Sequence, residues 1–237
     1  MPVQLALGAV MLVSAFNLGR ILWGHRESAG RYEAIRQSVA ASAASGASSA
    51  EERPRVDMER LVEQYPDAVG WLYCEGTPID HPVMQAEDND YYLRRLPDGA
   101  HSAGGSLFLD WRCPGDFSGG LSVLYGHNMR DGSMFACLAR YMDQEWCDAH
   151  PLLELQTPES GLTLQVAYAF TIAAGEWVDR GFGSAENRSQ LVEYAAAHSP
   201  VSGVSLTGEE PLAALLTCTS RSDEERYVVL CALRRPL

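Results

Sequence analysis

Leu212-Ala-Ala-Leu-Leu-Thr-Cys-Thr219, then the polar Ser220-Arg-Ser-Asp-Glu-Glu225, then Arg226-Tyr-Val-Val-Leu-Cys-Ala-Leu233, is the stretch from which the rest of the chain is read. Both apolar runs have strand length, and the segment between them is short and polar, so the two strands are candidates to pair as neighbours, a pairing the sequence leaves as a condition. Such pairing would bring Cys218, at the end of the first run, and Arg226, at the start of the second, to one end of a sheet. A thiol at a strand terminus is open to a substrate and to a base, whereas Cys231 sits inside its strand. The attacking species is the thiolate, which calls for a positive charge nearby. Arg226 is no base at neutral pH, but its planar guanidinium can bond an oxyanion or clamp a substrate backbone. Arg221 lies in the loop itself, where holding one geometry costs entropy, so Arg226 is the candidate of the two. The plain alternative makes Arg226 a surface partner of Asp223 or Glu224.

Upstream, short apolar runs recur between turn residues. Val69–Cys74, Ser106–Leu109, Leu121–Tyr125 and Leu162–Ile172 are predicted strands. Helices are predicted over Val56–Tyr65, with Asp57 as N-cap and Pro66 as the stop, and over Phe135–Tyr141 and Ser189–His198. Many short strands with few helices give a mainly β class, as a barrel or a sandwich. His127 directly follows the Leu121–Tyr125 strand, with Gly126 before it to permit a sharp turn. It is the candidate acid–base residue, against the plainer reading of a solvated or capping histidine. His25, His81, His101, His150 and His198 read as surface residues.

Composition narrows the function classes. The 237 residues carry 18 basic and 31 acidic side chains, a net charge of −13, which argues against nucleic acid as a partner. Every basic residue is Arg, so Schiff-base and lysine-nucleophile chemistry is excluded. Cys74, Cys113, Cys137, Cys147, Cys218 and Cys231 are too few and scattered for a disulfide scaffold and contain no CxxC pair. A zinc ribbon or a thioredoxin-like redox site is therefore not expected, and most of these cysteines read as small buried apolar residues.

The N-terminal part is apolar. Pro2–Trp23 contains only Gln4, Ser14 and Asn17 as polar residues before Arg20, and residues 1–23 are therefore expected to be a transmembrane or signal-anchor segment. Arg20, Arg26 and Arg31 follow it, so charge bias alone would place the body inside. Residues 24–55, which include an Ala/Ser-rich run over 38–50, are expected to be a flexible stalk, with the folded body over 56–237.

Taken in order, several blocks resemble the sortases, and among them class B. Gly126-His-Asn-Met129, Thr217-Cys218 and Arg226, eight residues beyond the cysteine, resemble the sortase His–Cys–Arg set. Tyr65-Pro-Asp-Ala-Val-Gly-Trp-Leu72, Gly76-Thr-Pro-Ile-Asp-His-Pro-Val-Met-Gln85, Asp88-Asn-Asp-Tyr-Tyr-Leu93, Ser106-Leu-Phe-Leu-Asp110 and Tyr125–Phe135 resemble successive class B blocks. The resemblance covers about Val56 to the C-terminus. It implies an eight-stranded sortase-type β-barrel with an N-terminal helical element and a helix in the connection before the catalytic-cysteine strand.

The resemblance further implies transpeptidation without metal or cofactor. Cys218 would attack a C-terminal sorting motif of a secreted protein and form a thioacyl-enzyme. His127 would move the proton, and Arg226 would stabilise the oxyanion. An amine of a peptidoglycan precursor or a pilin would then take the acyl group. Asn89, Leu93, Leu216 and Thr217 are the implied substrate-binding residues. Leu216 stands where class B enzymes often carry Ser, which alters the pocket floor. The family context implies a single-pass membrane protein with its catalytic domain outside the cell. Two alternatives remain open from the sequence: a hydrolytic cysteine peptidase using the same three residues, and a non-catalytic cell-surface binding domain.

Overall fold

The computed structural model describes residue 14 and residues 27–40, 56–219, 222 and 224–235. Its strands are β1 (Ala68–Tyr73), β2 (Asp80–Met84), β3 (Leu107–Leu109), β4 (Leu121–Tyr125), β5 (Leu152–Gln156), β6 (Gly161–Ala173), β7 (Leu212–Cys218) and β8 (Glu225–Arg234). They close into a barrel in the order β1-β2-β3-β4-β7-β8-β6-β5, which leaves no open sheet edge. The β2–β3 and β4–β7 pairs are parallel. The unbroken apolar run Leu212–Thr217 is buried along its whole length, as a strand covered on both faces requires. The expected eight-stranded barrel is thus the observed one.

Two of the eight strands are absent from the sequence reading. β2 carries Pro82 in its middle, a residue that normally argues against a strand. It is tolerated because β3 joins β2 only at Val83 and Met84, leaving Pro82 outside that pairing. β5 alternates exposed and buried residues over only five positions, too short a run to stand out. The helices include α2 (Met58–Gln64), α3 (Gln144–Ala149), α4 (Ala174–Asp179) and α5 (Arg188–His198). Asp57 caps α2 by accepting from the Arg60 N–H at 3.0 Å, as its position predicts. The stretch Ala136–Met142 is a 3-10 helix, and α5 lies in the connection before β7.

Ahead of these, residues 27–39 form a helix, α1, which packs on the barrel. Ile35 and Val39 are buried with Leu61, Trp71, Met84 and Phe108 in a second apolar cluster outside the main core. Tyr32 donates to Gly105 O at 2.6 Å, Arg36 pairs with Asp80 at 3.1 Å, and Asp57 N–H donates to Val39 O at 2.7 Å. Part of the expected stalk is therefore a docked helix, because its apolar residues at i and i+4 share one face. His81, read as a surface residue, lies beneath it. Its ring nitrogens are buried, and its ring meets Tyr32 edge-on at 4.8 Å. Burial of Ile35 and Val39 is worth roughly 1.5–3 kcal/mol each. A chain beginning at Val56 should therefore fold but melt roughly 6–24 °C lower than one beginning at residue 27. Calorimetry on the two chains checks this, and equal melting temperatures would show that α1 adds no stability.

The expectation of a single-pass membrane protein with an extracellular catalytic domain is corrected here. Among the described residues, no helix is long and apolar enough to cross a membrane. The 13 described residues of α1 rise about 20 Å against the ~30 Å of a hydrocarbon core, and Arg31, Glu33 and Arg36 are among them. Residues 1–23, on which that expectation rested, lie outside the described residues apart from residue 14.

Candidate active site

Three neighbouring strands, β4, β7 and β8, present the candidate residues at one end of the barrel. The β7–β8 register sets Cys218 directly opposite Arg226. Residues opposite one another in an antiparallel pair project from the same face, with Cβ atoms about 5 Å apart. Both side chains are half-buried. Arg226 continues across β8 to pair with Ile172 of β6, so its backbone is held on both sides. Its Nη1 donates to Glu225 O at 3.1 Å.

His127 comes from the other side of β7. The parallel β4–β7 ladder runs from Leu121↔Leu212 to Tyr125↔Leu216, and Gly126 N–H continues it by donating to Leu216 O at 3.1 Å. That register carries His127 to the level of Cys218. Gly126 was expected to permit a sharp turn, yet it is not in the left-handed region. Its requirement is space: a Cβ there would overlap Leu107 Cδ2 and the Phe135 ring. The His127 ring is oriented by Leu93 O, 2.7 Å from Nε2. A carbonyl only accepts, so Nε2 carries the proton in this contact and Nδ1 is the nitrogen left for a second partner. The accepting carbonyl is itself hemmed in, because Gly105 (φ 53°) lies where a Cβ would overlap Leu93 O.

The four residues expected to bind substrate fall in different settings. Leu93 adjoins His127 through its carbonyl. Leu216, two residues before Cys218, shares its face and is buried. Thr217 is buried and, by the alternation of a strand, turns to the other face. Asn89 is engaged internally: it donates to Asp110 Oδ2 at 3.0 Å and accepts from Trp111 N–H at 3.1 Å. Asp110 is fully buried and also receives Arg112 Nε and Nη2, at 2.9 and 2.8 Å, and Tyr125 Oη at 3.1 Å. Burial raises its pKa, but the bonds from Arg112 and Asn89 outweigh this and hold it below the ordinary carboxylate value.

The remaining five cysteines differ from Cys218 in environment. Cys74, Cys113, Cys137, Cys147 and Cys231 are buried and unpaired with one another. Burial pushes the Cys137 thiol up to about 12 and that of Cys147 to about 11, and raises the other three. Among the described residues, no cluster of His, Cys, Asp or Glu is arranged to hold a metal ion. Sequence reasoning assigned nothing to Asn128, although it follows His127 directly. Its Nδ2 donates to Cys218 O at 2.9 Å.

No protein-family model matches the chain. It is similar to a curated Sortase B of Listeria monocytogenes, 30% identical over 225 residues that cover 92% of this chain and 88% of that protein. The structure superposes on sortase B from B. anthracis in complex with AAEK1 with a TM-score of 0.76 and 26% identity, covering 91% of this chain and 100% of the other. A Staphylococcus aureus sortase B–substrate complex matches with a TM-score of 0.69 and 26% identity, covering 76% of this chain and 86% of that one.

Proposed function

Since the chain belongs to the class B sortases and is therefore a cysteine transpeptidase, we propose that Cys218 is its nucleophile, His127 its proton carrier and Arg226 its oxyanion donor. The observation that carries this is the register that puts Cys218 and Arg226 on one face, with the His127 segment bonded to the cysteine's own carbonyl. The Cys218 thiolate attacks a backbone carbonyl of the sorting motif, and the oxygen that becomes negative is bonded by the Arg226 guanidinium. Collapse of the tetrahedral adduct breaks the peptide bond, and His127 protonates the departing amine. The thioacyl-enzyme is then attacked by an incoming amine, which gives its proton to His127 as the thiolate leaves. Transfer to an amine rather than to water requires that the acceptor reach the thioester first.

The substrate is proposed to be a C-terminal sorting motif of a secreted protein, and the acceptor a primary amine of a peptidoglycan precursor or a pilin. Leu93 and Leu216 are the proposed motif contacts, with Leu216 giving a more apolar floor than Ser would. The catalytic unit is assigned to residues 56–237. Incubating the full chain with a library of sorting peptides plus triglycine tests the reading. Amide product is expected. Free acid alone would favour a hydrolytic peptidase, and no thioacyl intermediate would favour a binding domain.

A further inference from the structure

We infer that Asn128 is a positioning residue that ties the His127 segment to the Cys218 strand end; this rests on the roles proposed above for those two residues. The β4–β7 ladder accounts for its placement. Gly126 N–H takes Leu216 O, and the next carbonyl of β7 on that side, two residues on, is that of Cys218. By then the chain beyond β4 has turned back on itself. His127 O accepts from Phe135 N–H at 3.0 Å, and Asn128 bridges to Met134. The side-chain amide of Asn128 supplies the rung instead, donating to Cys218 O at 2.9 Å.

This bond fixes one peptide plane from both sides. The Cys218 carbonyl is held by Asn128, and the N–H of the same peptide, from Thr219, donates to Glu225 O at 3.0 Å. With that plane fixed, rotation about the Cys218 Cα–C bond, which would re-aim the Cα–Cβ bond, is restrained. Asn128 is itself presented from a closed loop. Gly132 N–H donates to Met129 O at 3.0 Å, and Met134 adopts φ 56°, a left-handed conformation that a non-glycine residue holds only when its surroundings impose it. Beyond the Gly126–Leu216 rung, this hydrogen bond joins the proton carrier's segment to the nucleophile's own residue across 90 residues of sequence. Removing the donor leaves the carbonyl unpaired on that side and frees the chain beyond the Gly126–Leu216 rung, at the level of His127 and Cys218, to shift. Displacement of reacting groups by about 1 Å can cost ~100-fold in rate.

The test uses full-chain Asn128→Ala, Asn128→Leu and Asn128→Gln with triglycine and a sorting peptide selected from the library. For Ala and Leu, kcat should fall roughly 10- to 100-fold. KM should stay within about twofold of the parent, since substrate contacts are untouched. Melting temperatures should move by only a few degrees, and Gln, which keeps an amide donor, should recover a large part of kcat. A kcat within about twofold of the parent in the Ala variant, or a loss carried by KM alone, would overturn the inference. So would a Gln variant no better than Leu, or a loss of kcat that follows the loss of melting temperature. Cys218→Ala is measured beside them. Activity that survived it would overturn the nucleophile assignment itself, a result distinct from any of the Asn128 outcomes.

Discussion

Replacing Cys218 with alanine is expected to abolish turnover, while single alanine changes at Cys74, Cys113, Cys137, Cys147 and Cys231 leave most of it. The contrast is one of environment rather than of residue type. A thiol attacks as thiolate, and desolvation disfavours that charge. Each of the other five is buried with its thiol raised, the Cys137 thiol to about 12. Cys147 Sγ donates to Tyr141 O at 3.1 Å, and Cys74 lies 3.5 Å from Tyr141 Oη, so both are built into the packing around that ring. Only Cys218 is half-exposed, at a strand end opposite a guanidinium. The measurement is turnover per folded molecule, with intact-mass detection of the thioacyl-enzyme. An equally inactive, folded Cys137→Ala or Cys147→Ala would force a second essential thiol into the mechanism.

Arg226→Ala is expected to lower kcat by about 10²–10³, the usual cost of losing one oxyanion donor. Arg226→Lys should fall nearly as far, because a point charge on a flexible stem does not reproduce the planar fork of donors. Pairing supplies the reason this arginine can do the work. Its backbone is registered to Cys218 on one side and to Ile172 on the other, so the side chain starts from a fixed base. Arg221 lies outside the described residues. From its place in the polar loop, Arg221→Ala should change the rate by less than about tenfold, mainly through KM. Measuring kcat and KM for the three variants decides the matter. A large loss at Arg221, with Arg226→Ala near the parent value, would exchange their roles.

The hairpin that carries Cys218 and Arg226 was legible because everything it needs is local. Two runs of strand length, a short polar loop and antiparallel pairing leave little choice of register, and the expected juxtaposition is the one observed. Most other strands and α2 were legible for the same reason, each bearing its own periodicity, cap or breaker. The His127–Cys218 relation was reached only through resemblance, since no periodicity in Leu121–Tyr125 says which strand will lie beside it. β4 and β7 pair in parallel across a long stretch of chain, and such pairing needs a crossover whose course is set by the whole barrel.

Three further features were decided by tertiary structure alone. β2 contains a proline that local rules count against a strand, and only the short contact with β3 makes it acceptable. Residues 27–39 read as part of a stalk because three turns of polar helix look the same whether solvated or docked; the groove that buries Ile35 and Val39 is built from β1, β2, β3 and α2. Gly126 reads as a residue that permits a sharp turn, but what requires glycine there is the space taken by Leu107 and Phe135, residues that chain folding brings there. The sequence by itself determined which chemical groups stand at strand ends and which strands are apolar enough to be buried, because propensity and hydrophobic period are properties of neighbouring residues. Which strand ends meet, and hence which ring nitrogen of His127 is held by Leu93 and which carbonyl Asn128 reaches, was decided only by closure of the barrel, because those contacts exist only once distant segments share one core.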